Sequence, residues 1–308
     1  MNALRALWVT GRPYLMFVSG AAALPGLALA RAPIALVVPA FVVLFLSYGL
    51  GQALTDVFQT DTDALSAPER PLVQGTINKR TVLIASLGGL TACAAVIVLL
   101  SPAAALPAAI AIALLATYTP LKRRWWGGPP WNSAVVALLP LLGCMAGGRG
   151  LAEALADGAV RAAMASSFGT YAVFVLLGYL KDVEADRATQ YNTVAVRFGR
   201  RAAVIASAAF ATLGLAASIS LVQSRLTVSA GTTLWSVGAA VLVCAHVLAW
   251  RSTTDEDAWP GIQASVHGFV ALHFGEAAAI EPRWTLAAWI LFGASIVAMF
   301  QRPVRRQV

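Results

Sequence analysis

The chain has 308 residues, of which 59% are hydrophobic and only 12% are charged, and its mean hydropathy is +0.74. Water-soluble domains carry roughly a quarter charged residues, so this composition excludes a soluble globular domain. The net charge of +8 would suggest nucleic-acid binding in a soluble protein, but here the positions of the charges matter more than their sum. We expect no nucleic acid among the partners.

Apolar segments long enough to cross a bilayer, about 20 residues each, recur along nearly the whole chain. We predict an all-α polytopic membrane bundle of about nine transmembrane helices, at 13–31, 33–52, 81–100, 102–119, 133–152, 160–180, 201–222, 231–250 and 284–300. The first of these segments also allows a cleaved signal peptide as an alternative.

One further segment, 262–280, is interrupted by His267, His273 and Glu276. Its composition leaves three alternatives open: a tenth transmembrane helix, a half-buried helix, or a helix on the membrane surface. The sequence has no long hydrophilic stretch that would divide the chain, so we expect one domain over residues 1–308. Cys93, Cys144 and Cys244 lie inside predicted spans without paired spacing, which predicts neither a disulfide nor a zinc site.

Lysine and arginine are divided unevenly between the two ends of the predicted bundle. Thirteen of them lie in the N-terminus and in segments 53–80, 120–132 and 181–201, whereas the opposite loops hold four, Arg31, Arg149, Arg161 and Arg225. The positive-inside rule places the first set in the cytoplasm, and we expect a bacterial inner-membrane protein with its active site on that side. The basic tail, Arg302, Arg305 and Arg306, fits this arrangement only if 262–280 also crosses.

Half of the acidic residues lie in two segments on the predicted cytoplasmic side, where each follows an apolar helix. Of the 14 acids in the chain, these segments hold Asp56, Asp61, Asp63 and Glu69, and then Asp182, Glu184 and Asp186. Acids at a membrane are costly, so a group of them normally has a counter-cation or a function. The two segments follow the second and sixth predicted spans, a spacing that suggests a duplicated four-helix unit.

The spacing of these acids predicts a cation between them. Asp182 and Asp186 are four residues apart and share one helix face, where like charges repel unless a positive group separates them. Asp56 and Asp63 share a stripe with Gln59 if the second helix continues, whereas Asp61 points away from it. Carboxylate oxygens that leave room for phosphate oxygens are typical of magnesium sites in phosphate chemistry.

Three segments resemble the signatures of the UbiA superfamily of intramembrane prenyltransferases. Residues 55–75, TDVFQTDTDALSAPERPLVQG, look like its first signature, an NDxxDxxxD motif followed by RPxxxG. Residues 181–199, KDVEADRATQYNTVAVRFG, resemble the second signature, a DxxxD motif, and residues 118–132, YTPLKRRWWGGPPWN, are similar to the pattern of the loop after the fourth span. The helical frame of the resemblance covers nearly the whole chain.

The resemblance implies the role of each candidate residue. Magnesium would be held by Asp56, Asp63, Asp182 and Asp186, with Gln59 and Asp61 as secondary candidates. The diphosphate would be contacted by Lys122, Arg70, Lys181 and Asn132, and Tyr118 would face the reacting carbon. The implied reaction is magnesium-dependent transfer of a prenyl group from an allylic prenyl diphosphate to a hydrophobic, aromatic or lipid acceptor in the membrane.

The first signature departs from the family pattern at two positions. Thr55 stands where the family usually has Asn, and Gln59 stands where it has the middle Asp. A neutral amide contributes no charge to a magnesium site, so we expect Asp56 to supply the missing ligand. These departures keep two alternatives open: a UbiA-type terpene cyclase that needs no acceptor, and a transporter or non-catalytic protein that keeps the fold.

Overall fold

The computed structural model describes residues 2–223 and 229–302. Arg225, Arg305 and Arg306, which entered the charge count above, lie outside these residues. Within the described residues the secondary structure is helical and contains no strand, as the composition predicted.

Ten helices of 12 residues or more form the bundle within the described ranges. We number them α1 (Met16–Leu29), α2 (Ile34–Val57), α3 (Lys79–Leu100), α4 (Ala105–Ala116), α5 (Gly128–Ala146), α6 (Gly158–Gly178), α7 (Arg200–Val222), α8 (Ala230–Arg251), α9 (Trp259–Ile280) and α10 (Thr285–Phe300). Short α-helices occupy Ala3–Thr10, Thr60–Ser66, Tyr118–Lys122, Leu151–Ala156, Val183–Ala188 and Val194–Phe198. Side-chain caps start several helices, including Asn78 for α3 and Asp157 for α6.

Seven of the long helices are long and apolar enough to cross a membrane: α2, α3, α5, α6, α7, α8 and α10. The other three are shorter or less apolar, but α1 packs in the centre of the bundle against α2, α5 and α9. The expected all-α membrane bundle is therefore confirmed, and its helix count agrees roughly with the predicted nine. The first predicted span is part of the packed core.

Helix α9 settles the open question about residues 262–280. It is a continuous helix of 22 residues that is buried along most of its length. It runs antiparallel to α8, since Gly238 packs on Leu272 and Gly275 packs on Trp235. A Cβ atom at either glycine would overlap the partner backbone, a close approach typical of membrane helix pairs. Helix α9 thus traverses the same layer as α8, and its polar residues face protein instead of lipid.

The loops rich in charge lie at one end of the bundle, which we call the acidic face. It comprises residues 58–78, 117–127, 179–199 and 252–258. Direct contacts join these segments: Thr62 lies 2.9 Å from Thr189, the Asn192 amide donates to Arg123, and Arg200 pairs with Asp255. The segments that the charge count grouped together therefore share one face.

A polar cluster lies buried among α6, α7, α8 and α9, toward the end of the bundle opposite the acidic face. Glu276 accepts hydrogen bonds from Ser166 at 2.6 Å, from Ser218 at 2.5 Å and from His273 Nδ1 at 2.6 Å. The indole of Trp235 donates to Ser218. Because every polar atom of the Glu276 carboxylate has a partner, this acid is tolerated at full burial. It ties α6 and α7 to α9, and Trp235 joins α8 to the cluster through Ser218.

The Glu276→Ala variant tests the structural weight of this cluster. Removal of the carboxylate leaves three buried polar groups without their acceptor, and each unsatisfied buried group costs about 1–3 kcal/mol. We expect a clearly lower Tm of the purified protein in detergent. The control is Glu153→Ala, because Glu153 pairs with Arg149 at the surface and exposed pairs contribute about 1 kcal/mol or less. Equal Tm changes in the two variants would contradict this role.

Candidate active site

Both acidic segments line one pocket beneath the acidic face, with an empty volume of about 660 Å³. Its charged lining residues are Arg12, Asp56, Asp63, Arg70, Lys122, Lys181 and Asp182. Segments that are more than 100 residues apart in the chain thus meet at one site. Asp63 and Asp182, which the sequence predicted to share a ligand, lie on the same face of the bundle and in the same pocket.

Two buried arginines neutralise the acids of the first segment. Arg12 donates to both carboxylate oxygens of Asp56, at 2.6 and 2.8 Å, and to Gln52 at 2.5 Å. Arg70 lies 2.5 Å from a carboxylate oxygen of Asp63 and donates more weakly to Asp56 at 3.4 Å. Asp56 is thus held by two guanidinium groups, and Asp63 by one.

Two lysines stand among the acids of the second segment. Lys122 donates to the side-chain oxygen of Gln59 at 2.9 Å, and its ammonium lies 3.6 Å from Asp186. Lys181 contacts both carboxylate oxygens of Asp182, at 3.2 and 3.1 Å. The neutral Gln59, a departure from the family motif, therefore holds the ammonium that links the two acidic segments.

Burial and neighbouring charges shift the pKa values of these groups in opposite directions. Burial raises the pKa of the Asp186 carboxyl to about 7, and burial likewise raises the pKa of Asp63. Burial would also raise the pKa of Asp182, but Lys181 and other nearby cations outweigh it and lower that pKa. Burial alone would lower the pKa of Lys122, yet Asp186 and neighbouring groups hold it above its ordinary value, so the ammonium stays charged.

The donor set fits magnesium. Within the parts of the chain that the structure describes, no three Asp, Glu, His or Cys side chains form a ready-made metal cluster. Magnesium in phosphate chemistry needs only one or two carboxylates, with substrate phosphates and water completing its shell. Asp63 and Asp182 line the pocket and supply hard oxygen donors, and both carboxylate oxygens of the buried Asp186 lack a hydrogen bond, with the Lys122 ammonium 3.6 Å from one of them.

Tyrosine rings form the wall between the charged pocket and the membrane interior. The hydroxyls of Tyr118 and Tyr179 are 3.3 Å apart, and those of Tyr48 and Tyr171 are 3.2 Å apart. The ammonium of Lys122 lies 5.6 Å from the centre of the Tyr179 ring. Such ring faces attract positive charge.

An apolar groove adjoins the pocket and runs into the bundle between α2, α3, α4 and α5. Gln52, Leu115, Asn132 and Tyr171 line both spaces, so they form the mouth of the groove. Along α5 the groove extends from Asn132 to Leu142, a depth of about 15 Å from the rise per residue of a helix. It can hold an apolar chain of several isoprene units.

The remaining predicted residues lie at the edge of the site. Asn132 lines the groove mouth and Thr55 lines the pocket, whereas Asp61 pairs with Arg123 at the surface, where both side chains are over 40% exposed. Arg12 was counted only as a topology charge in the sequence, although it is buried at the site. Its backbone φ of 48° lies in the left-handed region, between the short helix Ala3–Thr10 and α1, and no sequence motif singles it out.

Comparison with known proteins agrees with this geometry. The model of the UbiA prenyltransferase family matches residues 17–273. The chain is 32% identical over 180 residues to the digeranylgeranylglyceryl phosphate synthase of Natronomonas pharaonis, covering 58% of this chain and 63% of that protein. A synthase of the same name from Thermococcus gammatolerans is 32% identical over 185 residues, covering 58% and 62%. The matched stretch is thus less than two thirds of the length of either relative.

Solved structures share the fold. The apo structure of a UbiA homologue from Aeropyrum pernix K1 superposes with a TM-score of 0.71 at 20% identity, covering 92% of this chain and 98% of that one. A UbiA homologue from Archaeoglobus fulgidus bound to DMAPP and Mg²⁺ gives a TM-score of 0.62 at 15% identity, covering 88% and 99%.

The Asp56→Asn variant tests the buried pairing at the site. Loss of the Asp56 charge leaves Arg12 and Arg70 with less neutralisation in a buried position, for which we expect a loss of about 3–5 kcal/mol and a lower Tm in detergent. Asp61→Asn is the matched control from the same loop, because its exposed pair contributes about 1 kcal/mol or less. If Asp56→Asn were as stable as Asp61→Asn, Asp56 would not carry the ion-pair network.

Proposed function

The chain belongs to the UbiA prenyltransferase family, and on that premise we propose that it transfers a prenyl group from an allylic prenyl diphosphate to a lipid acceptor within the membrane, with magnesium. One observation carries this proposal: a buried pocket of paired acids and cations stands at the mouth of an apolar groove. A diphosphate needs cations, whereas a prenyl chain needs an apolar surface. The pocket and the groove supply both at adjoining positions.

The cations of the pocket would drive cleavage of the allylic carbon–oxygen bond. As that bond breaks, its electron pair goes to the diphosphate oxygen, where Arg70 and Lys122 stabilise the growing negative charge. Fixed charges aimed at developing charge usually provide the largest contribution to catalysis. When bound to Asp63, Asp182 and Asp186, magnesium would neutralise further charge on the diphosphate oxygens. Lys181 and Arg12 complete the cationic lining.

The tyrosine wall would shield the allylic cation from water until the acceptor attacks. Tyr118 and Tyr179 lie next to the charged pocket, and Tyr48 and Tyr171 lie next to the groove. Each ring face can contribute roughly 0.5–2 kcal/mol to a nearby cation. The acceptor oxygen or carbon then bonds to the allylic carbon and loses its proton. Asn132, at the groove mouth, is suited to orient the first carbons of the prenyl chain.

The contacts of Asp56 change its proposed role. The sequence placed it among the magnesium ligands, but its two carboxylate oxygens accept hydrogen bonds from Arg12. We therefore assign Asp56 to holding Arg12 and Arg70 in place, and we assign Gln59 to holding Lys122. The metal is left to Asp63 in the first segment and to the two aspartates of the second. Asp61, with its surface partner Arg123, stays outside the reaction.

The names of the two related synthases favour one class of acceptor. Both synthases are named for a product that carries two geranylgeranyl groups on glyceryl phosphate, which favours a glycerol-phosphate lipid over an aromatic acid as the acceptor. The same name favours a C20 prenyl donor, and a groove about 15 Å deep accommodates the first isoprene units of such a chain. These relatives are archaeal, so they lend no support to a bacterial inner membrane. From the lysine and arginine count we propose that the acidic face is cytoplasmic.

Incubation of the purified protein with magnesium and radiolabelled prenyl diphosphates, with and without a glycerol-phosphate lipid, tests the reaction. We expect a prenylated lipid only when both substrates are present. A cyclic hydrocarbon or alcohol formed without acceptor would indicate a terpene cyclase instead. No turnover under any condition would favour a non-catalytic protein.

Within that assay, Asp182→Asn should lower the rate about 100-fold or more, because one charged contact to the leaving group or its metal is lost. The same applies to Asp186→Asn. Asp61→Asn should retain nearly full activity, because its half-exposed side chain pairs with Arg123 and Tyr191 and does not line the pocket. Equal activity in Asp182→Asn and Asp61→Asn would remove the second acidic segment from the mechanism.

Filling the groove tests whether it holds the prenyl chain. Ala94→Phe places a bulky ring in the deep half of the groove, and we expect kcat/KM to fall for a C20 diphosphate but to change little for a C10 diphosphate. The matched control is Ala95→Phe, because Ala95 is exposed and does not line the groove. An equal loss for both chain lengths in Ala94→Phe would show that the chain lies elsewhere.

A further inference from the structure

Prenyl transfer from a diphosphate creates a product that cannot leave through lipid. Breaking the allylic carbon–oxygen bond releases inorganic pyrophosphate, which carries several negative charges together with bound magnesium. The groove itself is lined mainly by apolar side chains and would be filled by the prenyl chain. A separate aqueous route must therefore connect the charged pocket to the acidic face.

A second, polar chamber with an empty volume of about 1,190 Å³ meets this requirement. It lies between the short helices Thr60–Ser66 and Val183–Ala188 and the loop 252–258, and Trp259 and Arg200 form part of its wall. Lys181 and Asp182 line both the chamber and the charged pocket. The two spaces therefore share part of their lining, and the shared residues are the Lys181–Asp182 ion pair.

The exposure of the site residues shows where the charged pocket approaches water. The side chain of Asp182 is 13% exposed and that of Lys181 is 9% exposed. Asp186 is fully buried, and Asp56 and Asp63 are each 6% exposed. Asp182 is therefore the most exposed of the four predicted metal ligands, and the chamber is the water-side space that it lines.

The position of the chamber distinguishes an exit for pyrophosphate from an entrance for the acceptor. With the prenyl chain in the groove, the reacting carbon lies near Asn132 and Leu115, at the groove mouth. The diphosphate then lies between that carbon and Lys181. An acceptor that came through the chamber would meet the leaving group first, whereas pyrophosphate would leave along the direction in which its bond breaks.

The charged residues that line the chamber favour the passage of pyrophosphate over its tight binding. Its two cations are already paired, Lys181 with Asp182 and Arg200 with Asp255. The Asp255 carboxylate also accepts a hydrogen bond from the backbone of Glu184, which closes the outer rim.

We propose that this chamber is the aqueous port through which magnesium pyrophosphate leaves the site, with the Lys181–Asp182 pair as its inner gate. The proposal rests on the proposed prenyl transfer. It assigns Arg200 and Asp255 to the rim of the port, remote from the reacting carbon. Pyrophosphate added from solution enters by the same route, so the port also governs product inhibition.

Obstructing the port with a bulky label tests the proposal. Cys93, Cys144 and Cys244 are replaced by alanine, and Thr254, an exposed residue of the chamber, is changed to cysteine and labelled with a water-soluble maleimide dye. The matched control is a labelled Thr81→Cys, because Thr81 is exposed at the start of α3 and lies outside the chamber. The unlabelled variants show the effect of each substitution alone.

Three rates are compared in these proteins: single turnover with enzyme in excess, multiple turnover, and the onset of inhibition by added magnesium pyrophosphate. With the label at Thr254→Cys we expect an unchanged single-turnover rate, a several-fold slower multiple turnover and a several-fold slower onset of inhibition. The labelled Thr81→Cys protein should match its unlabelled form in all three.

The port proposal would be overturned if labelling of Thr254→Cys left the rate of onset of pyrophosphate inhibition unchanged. It would also be overturned if the label lowered the single-turnover and multiple-turnover rates equally. If the wild-type protein forms no product even in single turnover, the proposed function fails, and the port fails with it. The single-turnover result therefore separates the two failures.

Discussion

The site depends on one constraint: charges that are buried at the edge of a membrane must be neutralised by other charges. Asp56 is held between two arginines, and Asp182 and Asp186 are approached by two lysines. Desolvation makes each of these ions costly alone, but the pairs are tolerated because their partners lie close. A diphosphate with its magnesium brings the same two kinds of charge. When the diphosphate and its magnesium bind, they replace the existing ion pairs with new ones. No charge then has to be buried without a partner.

The packing of the helix bundle fixes the positions of these charged side chains relative to one another. The acids come from the ends of α2 and α6 and from the loops that follow them, so the relative position of these two helices determines the geometry of the site. Helix α6 is fixed on its other side by the Glu276 cluster, through Ser166 and through Thr170, which lies 3.0 Å from His273. Tyr171, the next residue, reaches the groove mouth. A polar cluster near the opposite end of the bundle thus sets the rotation of the helix that carries half of the site.

Much of this arrangement could be predicted from the sequence, because hydropathy and charge patterns act over whole segments. The all-helical membrane bundle and the shared face of the acidic loops followed from them, whereas the family followed from the resemblance of three motif segments. The hydrogen-bond and ion-pair partners of the individual site residues could not be predicted. Nothing local shows that Arg12 meets a residue 44 positions away, or that Gln59 holds Lys122, because those contacts depend on how the helices pack. Helix α9 was ambiguous for the same reason: Glu276 and His273 make it polar by composition, but their partners on α6 and α7 bury them.

The most direct measurement is a structure of the protein soaked with manganese in place of magnesium and with an unreactive thio-analogue of a C20 prenyl diphosphate, in which anomalous scattering locates the metal. We predict manganese between the two acidic segments, bonded to carboxylate oxygens of Asp63 and Asp182 at about 2.0–2.3 Å, with the prenyl chain in the groove beside Asn132. Metal bound at other residues, or a diphosphate held outside the pocket, would contradict the assignment of this pocket as the active site.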